Sequence, residues 1–348
     1  MKPGELALKT ERLTEKDLDR AAAILREGGL LGIPTETVYG LAANGLDEAA
    51  VARIFEAKGR PQDNPLILHV PSGEWIIRYC KEVPQAAFEL AYHFWPGPLT
   101  MVLKRRDNVP DRVTAGLDTV GMRCPDHPLC RQVIAAAGVP LAAPSGNTSG
   151  RPSPTTADHM LEDMDGRIDA ILDGGPCTVG VESTIVDMTS YPPRLLRPGG
   201  ITLEELESVL GHVEVDEAVT RMMKEGEKPK APGMKYRHYA PKAPVTVVRG
   251  RPDRTAAYIA GRLEGTSGVI CFDEYAPLFK GHVVETIGPA DDQAAQARHI
   301  FDALRAFDHE EVAEIWAQSP DDHGIGLAVT NRLNKAAGFH ILDLEESK

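Results

Sequence analysis

Two stretches of this chain carry the side chains best suited to gripping an oligoanion. Lys58-Gly59-Arg60-Pro61 sets a lysine and an arginine two apart beside a glycine, with Asn64 close behind. Lysine meets phosphate as a point charge and arginine as a planar fork. Pro61 cannot continue a helix, which puts the pair on a loop. The second stretch, Ala142 to Gly150 (AAPSGNTSG), mixes hydroxyl and amide donors with small residues that let backbone approach a ligand. Ser145 and Asn147 would point the same way in extended backbone, and Ser153 follows shortly after. Taken alone, the plainer readings are an exposed basic loop and an inert polar loop.

Further polar residues stand where short apolar runs stop. Pro34-Thr35-Glu36-Thr37-Val38-Tyr39-Gly40 follows Leu30–Ile33, and Thr37 offers a hydroxyl there. Its plain reading is a strand-to-helix turn. His69 ends Leu66-Ile67-Leu68, with no second ligand at metal spacing. Thr119 opens the run that Arg123 ends, and a buried guanidinium needs a carboxylate or phosphate. Gly180-Val181-Glu182-Ser183-Thr184 and Arg194-Leu195-Leu196-Arg197-Pro198-Gly199 complete the set. In open α/β sheets the ligand crevice lies outside the carboxyl ends of the strands. The usual nucleotide signatures are missing: there is no G-x-x-x-x-G-K-[ST], no G-x-G-x-x-G and no kinase H-R-D. Any phosphate must sit in a different cradle.

The elements that position these residues alternate between helix and short apolar strand, which indicates an α/β fold. Caps and helical spacing predict helices over 14–27, 47–57, 84–94, 128–137, 156–164, 203–210, 255–263, 294–307 and 325–337. Strands are expected over 30–33, 66–70, 99–103, 119–122, 139–143, 170–172, 183–187, 245–248, 268–272, 283–287 and 312–316. Asn331 and Arg332 on the last helix suit a structural cap or some polar purpose.

Charge divides the 348 residues further. The total of −13 splits into −8 over 1–210, +2 over 211–243 and −7 over 244–348. Two domains and a linker follow from those bounds. Pro229–Lys242 holds Lys230, Lys235, Arg237 and Lys242 and no acid. Met234, Tyr236, His238 and Tyr239 are poor choices for a floppy spacer, so an ordered basic linker is expected. It would pack on a surface or reach into a site to bind an anion. The acidic total argues against broad capture of nucleic acid. Five cysteines without a C-x-x-C predict free thiols in the cytosol. No apolar run is long enough for a membrane span.

PTETVYG (34–40), KGRPQDNPL (58–66), WPGPLT (95–100), APSGNTSG (143–150), STIV (183–186) and LRPG (196–199), in that order and at those spacings, resemble the YrdC-like domain. APGMKYRHYAP (231–241) and the chain after it resemble the long, two-domain threonylcarbamoyl-AMP synthases. The resemblance implies a YrdC-like open twisted α/β sheet with a concave ligand cavity in 1–210. It also implies a lid in 211–243 and a smaller Rossmann-like α/β domain in 244–348. The implied activity is a cytoplasmic nucleotidyltransferase that makes threonylcarbamoyl-AMP and diphosphate from L-threonine, bicarbonate and ATP. A downstream threonylcarbamoyl transferase complex would then modify the adenosine beside the anticodon of ANN-decoding tRNAs, so tRNA is met only indirectly.

By the same resemblance Lys58, Arg60, Ser145 and Asn147 are the catalytic tetrad. Arg60, Asn64, Thr119, Ser145, Ser153, Arg197 and Tyr236 would contact ATP, with Tyr239 as the rival of Tyr236. Thr37, His69, Arg123, Ala143 and Ser183 would contact threonine. Magnesium is expected on the ATP phosphates, with no metal site of the protein's own. Physically, Arg123 suits the threonine carboxylate, with Thr37 and Ser183 as hydroxyl donors. Lys58, Arg60 and Arg197 suit the phosphates. The threonine amine must be neutral to attack, and no carboxylate base stands out in the motifs. A bound phosphate or water would take that proton. The alternative expectation is a double-stranded RNA or tRNA-binding module without catalysis.

Overall fold

The apolar runs pair into two sheets. The structure is a computed structural model that describes residues 9–224, 226–234 and 238–345. Tyr236 therefore lies outside the described residues. Among those described, the first sheet has eleven strands, in the spatial order 11–13, 170–172, 31–33, 40–44, 141–142, 67–69, 119–123, 99–104, 184–187, 194–197 and 214–215.

Strand register creates the row on which the site is built. Ile67–His69 runs parallel to Thr119–Arg123, with His69 opposite Arg123. Leu99–Lys104 runs antiparallel to the same strand, with Thr100 opposite Arg123. Opposed residues share a face, so His69, Arg123 and Thr100 stand side by side. One residue back, Leu68, Met122 and Met101 point the other way and enter a core with Val51, Ile54 and Phe55. Those three belong to the helix Glu48–Lys58, which Asp47 caps and Gly59 ends with a left-handed φ of 61°. That termination delivers Lys58 and Arg60 to the strand ends.

One expectation needs correcting. Gly40–Asn44 is a strand folded back on Leu31–Ile33, with Gly32 opposite Leu41. Pro34–Tyr39 is thus a hairpin loop, and no helix follows it directly. Glu11–Leu13, Arg194–Arg197, Glu214–Val215 and Ile341–Asp343 are likewise strands without a predicted counterpart. Two to four residues carry too little alternation to stand out.

The second sheet is parallel throughout, in the order 283–286, 267–271, 314–318, 245–249 and 341–343. Helix Pro252–Ala260 covers one face through Ala256 and Ile259. Gln293–Ala306 and Gly326–Ala336 cover the other, in an apolar cluster that also takes in Val38, Val181 and Tyr239. The two units therefore share a core. Gly180 marks how close they come: a Cβ there would lie 2.4 Å from Ala297 O and from Arg298 Cα. Arg305 adds polar contacts, donating to Asp163 at 3.1 Å and to Pro152 O at 2.7 Å. Among the described residues no helix is long and apolar enough to cross a membrane.

Candidate active site

A cavity lies where the carboxyl ends of these strands meet the loops and the linker. Two loops run side by side along its wall. Leu41 N donates to Pro144 O at 2.9 Å and Gly146 N to Tyr39 O at 2.8 Å. Gly40 bridges Ser145 between them.

The cavity wall carries buried arginines, Arg60 and Arg197 among them. Arg60 Nη2 donates to Pro65 O at 3.2 Å, while its Nε has no partner. Arg197 donates from Nε to Ser183 O at 3.0 Å and from Nη1 to Pro232 O of the linker at 3.3 Å. Burial pushes both guanidinium groups down to about 10, and repulsion from Arg197 adds to the effect on Arg60. Both stay charged at neutral pH. Desolvated cations with donors to spare favour an anion.

Lys58 is buried but does not line the cavity. Its Nζ donates to the carbonyl oxygens of Ser145 and Asn147, and Ser149 N donates to Lys58 O at 2.9 Å. Burial, then repulsion from Arg60, holds its pKa well below the usual lysine value. Lysine 58 thus braces the loop from behind. Ser145 faces the cavity, whereas Asn147 is turned inward, its Nδ2 donating to Thr148 O and Arg151 O at 2.9 Å. The two do not point the same way, because the loop turns between them. The Oδ1 atoms of Asn64 and Asn147 are buried without a partner.

His69, Arg123 and Ala143 also line the cavity. Burial, reinforced by Arg123, pushes the His69 imidazole down to about 3, so it is neutral at pH 7. Ser183 Oγ lies 2.8 Å from Thr100 Oγ1. Thr37 is buried with its Oγ1 2.9 Å from that of Thr35, and Thr35 is the one on the cavity wall. Thr119 sits at the far end of the strand that Arg123 ends and is not on the wall.

Two carboxylates stand here that the motif reading passed over. Glu36 pairs with Arg123 at 2.8 Å, and Glu182 lines the cavity. Burial opposes ionisation of Glu182, but Arg332 and Arg197 outweigh it and hold the carboxyl down at about 2. Ser153, expected at ATP, donates its hydroxyl to Glu182. The signal was an acid inside each strand-end motif, at Glu36 and Glu182. Chain order alone could not show that those strand ends converge.

The linker closes the cavity with Pro232, Gly233, His238 and Tyr239. Tyr239 is buried, and its ring lies 5.1 Å from that of Phe301. Helix Gly326–Ala336 fastens this cover. Lys335 Nζ donates to Gly233 O and Met234 O, and Asn331 Nδ2 donates to Val219 O at 2.9 Å. Asn331 and Arg332 thus serve the contact between units, not a helix cap. Among the described residues one group of metal-type donors lies close together, Asp321, Asp322 and His323; it is exposed and outside the cavity.

The family model described as "Telomere recombination" (Sua5, YciO, YrdC) matches residues 23–199. The model "Threonylcarbamoyl-AMP synthase, C-terminal domain" matches residues 201–338. A threonylcarbamoyl-AMP synthase of Pyrococcus abyssi is 48% identical over 341 residues, covering 95% of this chain and 97% of its own. The chain belongs to the threonylcarbamoyl-AMP synthase family. The synthase of Bacillus subtilis is 45% identical, over 96% of this chain and 97% of its own. The crystal structure of Pyrococcus abyssi Sua5 complexed with L-threonine superposes with a TM-score of 0.91 at 46% identity, covering 96% of this chain and 99% of that one. A putative threonylcarbamoyl-AMP synthase of Mycobacterium tuberculosis, 36% identical, covers only 55% of this chain but 88% of its own length.

Proposed function

We propose that the cavity joins L-threonine, bicarbonate and ATP into threonylcarbamoyl-AMP and diphosphate. The observation that carries this is one cavity whose lining brings together Arg60, Arg197 and Arg123. Arg60 and Arg197 suit a triphosphate, and Arg123 suits the threonine carboxylate. Ser145 lines the cavity, and the Asn64 carbonyl accepts from Arg60 at 3.4 Å behind it. Ala143, His69 and Ser183 shape the threonine site. The relative crystallised with L-threonine supports that half of the reading.

The chemistry proceeds in two steps. The neutral threonine amine attacks the carbon of bicarbonate, and water leaves to give a carbamate. A carbamate oxygen then attacks the α-phosphorus and diphosphate leaves, a nucleotidyl transfer. Little covalent work falls to the protein, so positioning and charge stabilisation dominate. His69, neutral at pH 7, adds no competing charge near the amine. The linker excludes water from a hydrolysable carbamate. Magnesium would be held chiefly by the phosphates themselves, because the Glu182 carboxylate on the cavity wall is already paired with Arg332. It would neutralise phosphate charge.

The product would pass to a separate transferase acting on tRNA, in the cytosol, where five unpaired cysteines suit a reducing compartment. The RNA-binding alternative lacks support, because Arg60, Arg123 and Arg197 are buried and not spread over an exposed basic face. Formation of an AMP adduct carrying both threonine and label from bicarbonate tests the proposal. Its absence with all three substrates present would refute it.

A further inference from the structure

Glu36 and Arg123 meet at 2.8 Å with side chains only 7% and 5% exposed. The contact is close but poorly aligned. Neither carboxylate oxygen of Glu36, nor Nε or Nη2 of Arg123, has a hydrogen bond of proper geometry. Leaving buried polar atoms in that state is costly unless a further group completes them. Arg123 lines the cavity and Glu36 does not. Glu36 stands behind, where burial and then its charge push the thiols of Cys130 and Cys177 up. Its own backbone is pinned, since Glu36 O accepts from Thr178 N at 3.1 Å and Val179 N at 2.8 Å.

We propose that Glu36 is a positioning residue that aims Arg123 and thereby sets the preference for a substrate with a free α-carboxylate. This rests on the reading of the cavity as a threonine site. A lone buried guanidinium would turn to neighbouring carbonyls and spend its donors there. A fixed carboxylate behind it keeps the charge balanced and leaves Nε for a ligand. The pair is neutral overall, as is an amino-acid zwitterion, so binding adds no net charge to a desolvated site.

The test uses the full chain as wild type, Glu36→Gln and Glu36→Asp, with diphosphate release as readout and L-threoninamide as a second amine. Glu36→Gln should raise the KM for threonine about tenfold or more, with the KM for ATP within about twofold. Glu36→Asp should fall between, and the preference for threonine over its amide should narrow in Glu36→Gln. An unchanged threonine KM, an unchanged preference, or both KM values rising together would overturn the proposal. If Glu36→Gln does not fold, Glu36→Asp carries the same comparison. Wild type without threonine-dependent release would instead bring down the functional reading and this inference with it.

Discussion

Arg332 donates from Nε to Glu182 Oε2 at 2.7 Å, joining residues 150 apart in the chain. Its Nη1 also donates to Pro198 O at 2.9 Å. A side chain of the second unit thus fixes an acid on the cavity wall of the first. The small parallel sheet is part of the site's construction, although it contributes no strand to it.

Arg332→Met would leave Glu182 buried without its principal cation. Removing one partner of such a pair costs about 3–5 kcal/mol. The denaturation midpoint should fall and turnover with it. Adding Glu182→Gln should restore part of the stability, because no bare charge then remains. A single variant as stable as wild type would show that the pair contributes nothing.

His238 supplies a pH signature. Burial pushes its imidazole down from 6.5 to about 3. Below pH 6.5 the unfolded chain takes up a proton that the folded chain refuses. Stability is therefore lost as pH falls from 6.5 toward 3, by about 2 kcal/mol near pH 5. Urea unfolding at about pH 7 and pH 5 checks the sign. His238→Gln should lose less on acidification than wild type, and equal losses would contradict the assignment.

Arg60→Ala removes a phosphate fork and should lower kcat/KM for ATP at least about a hundredfold. Arg60→Lys keeps the charge without the fork and should fall between. Activity of the alanine variant near wild type would remove Arg60 from the chemistry.

Gly180→Ala tests how tightly the units must fit. The added methyl would meet Ala297 O and Arg298 Cα at a φ of +88° that already favours glycine. Overpacking of this kind costs about 1–3 kcal/mol. Thermal denaturation should show it, and an unshifted midpoint would mean that the helix yields freely.

The longer elements were legible because their signals are local. Asp47 and Gly59 bracket one helix in sequence as they do in space, and the run ending at His69 reads as a strand at once. The candidate site was legible as a set of strand-end motifs, of which Arg60, Ser145, Arg123 and Arg197 share one wall. What the sequence could not reveal depends on partners far away in the chain. Glu36 takes its meaning from Arg123, and Lys58 from the carbonyls of Ser145 and Asn147. The hairpin at Gly40 was hidden because its second strand, Gly40–Asn44 (GLAAN), shows no alternation of polar and apolar residues and no β-branched side chain.

The central claim is that this one cavity consumes ATP only with threonine and bicarbonate in place. Diphosphate release by the purified chain, measured with each substrate omitted in turn, tests it most directly. Release should require all three, and Arg60→Ala should lower it at least about a hundredfold. Release that persists without threonine or without bicarbonate would contradict the account.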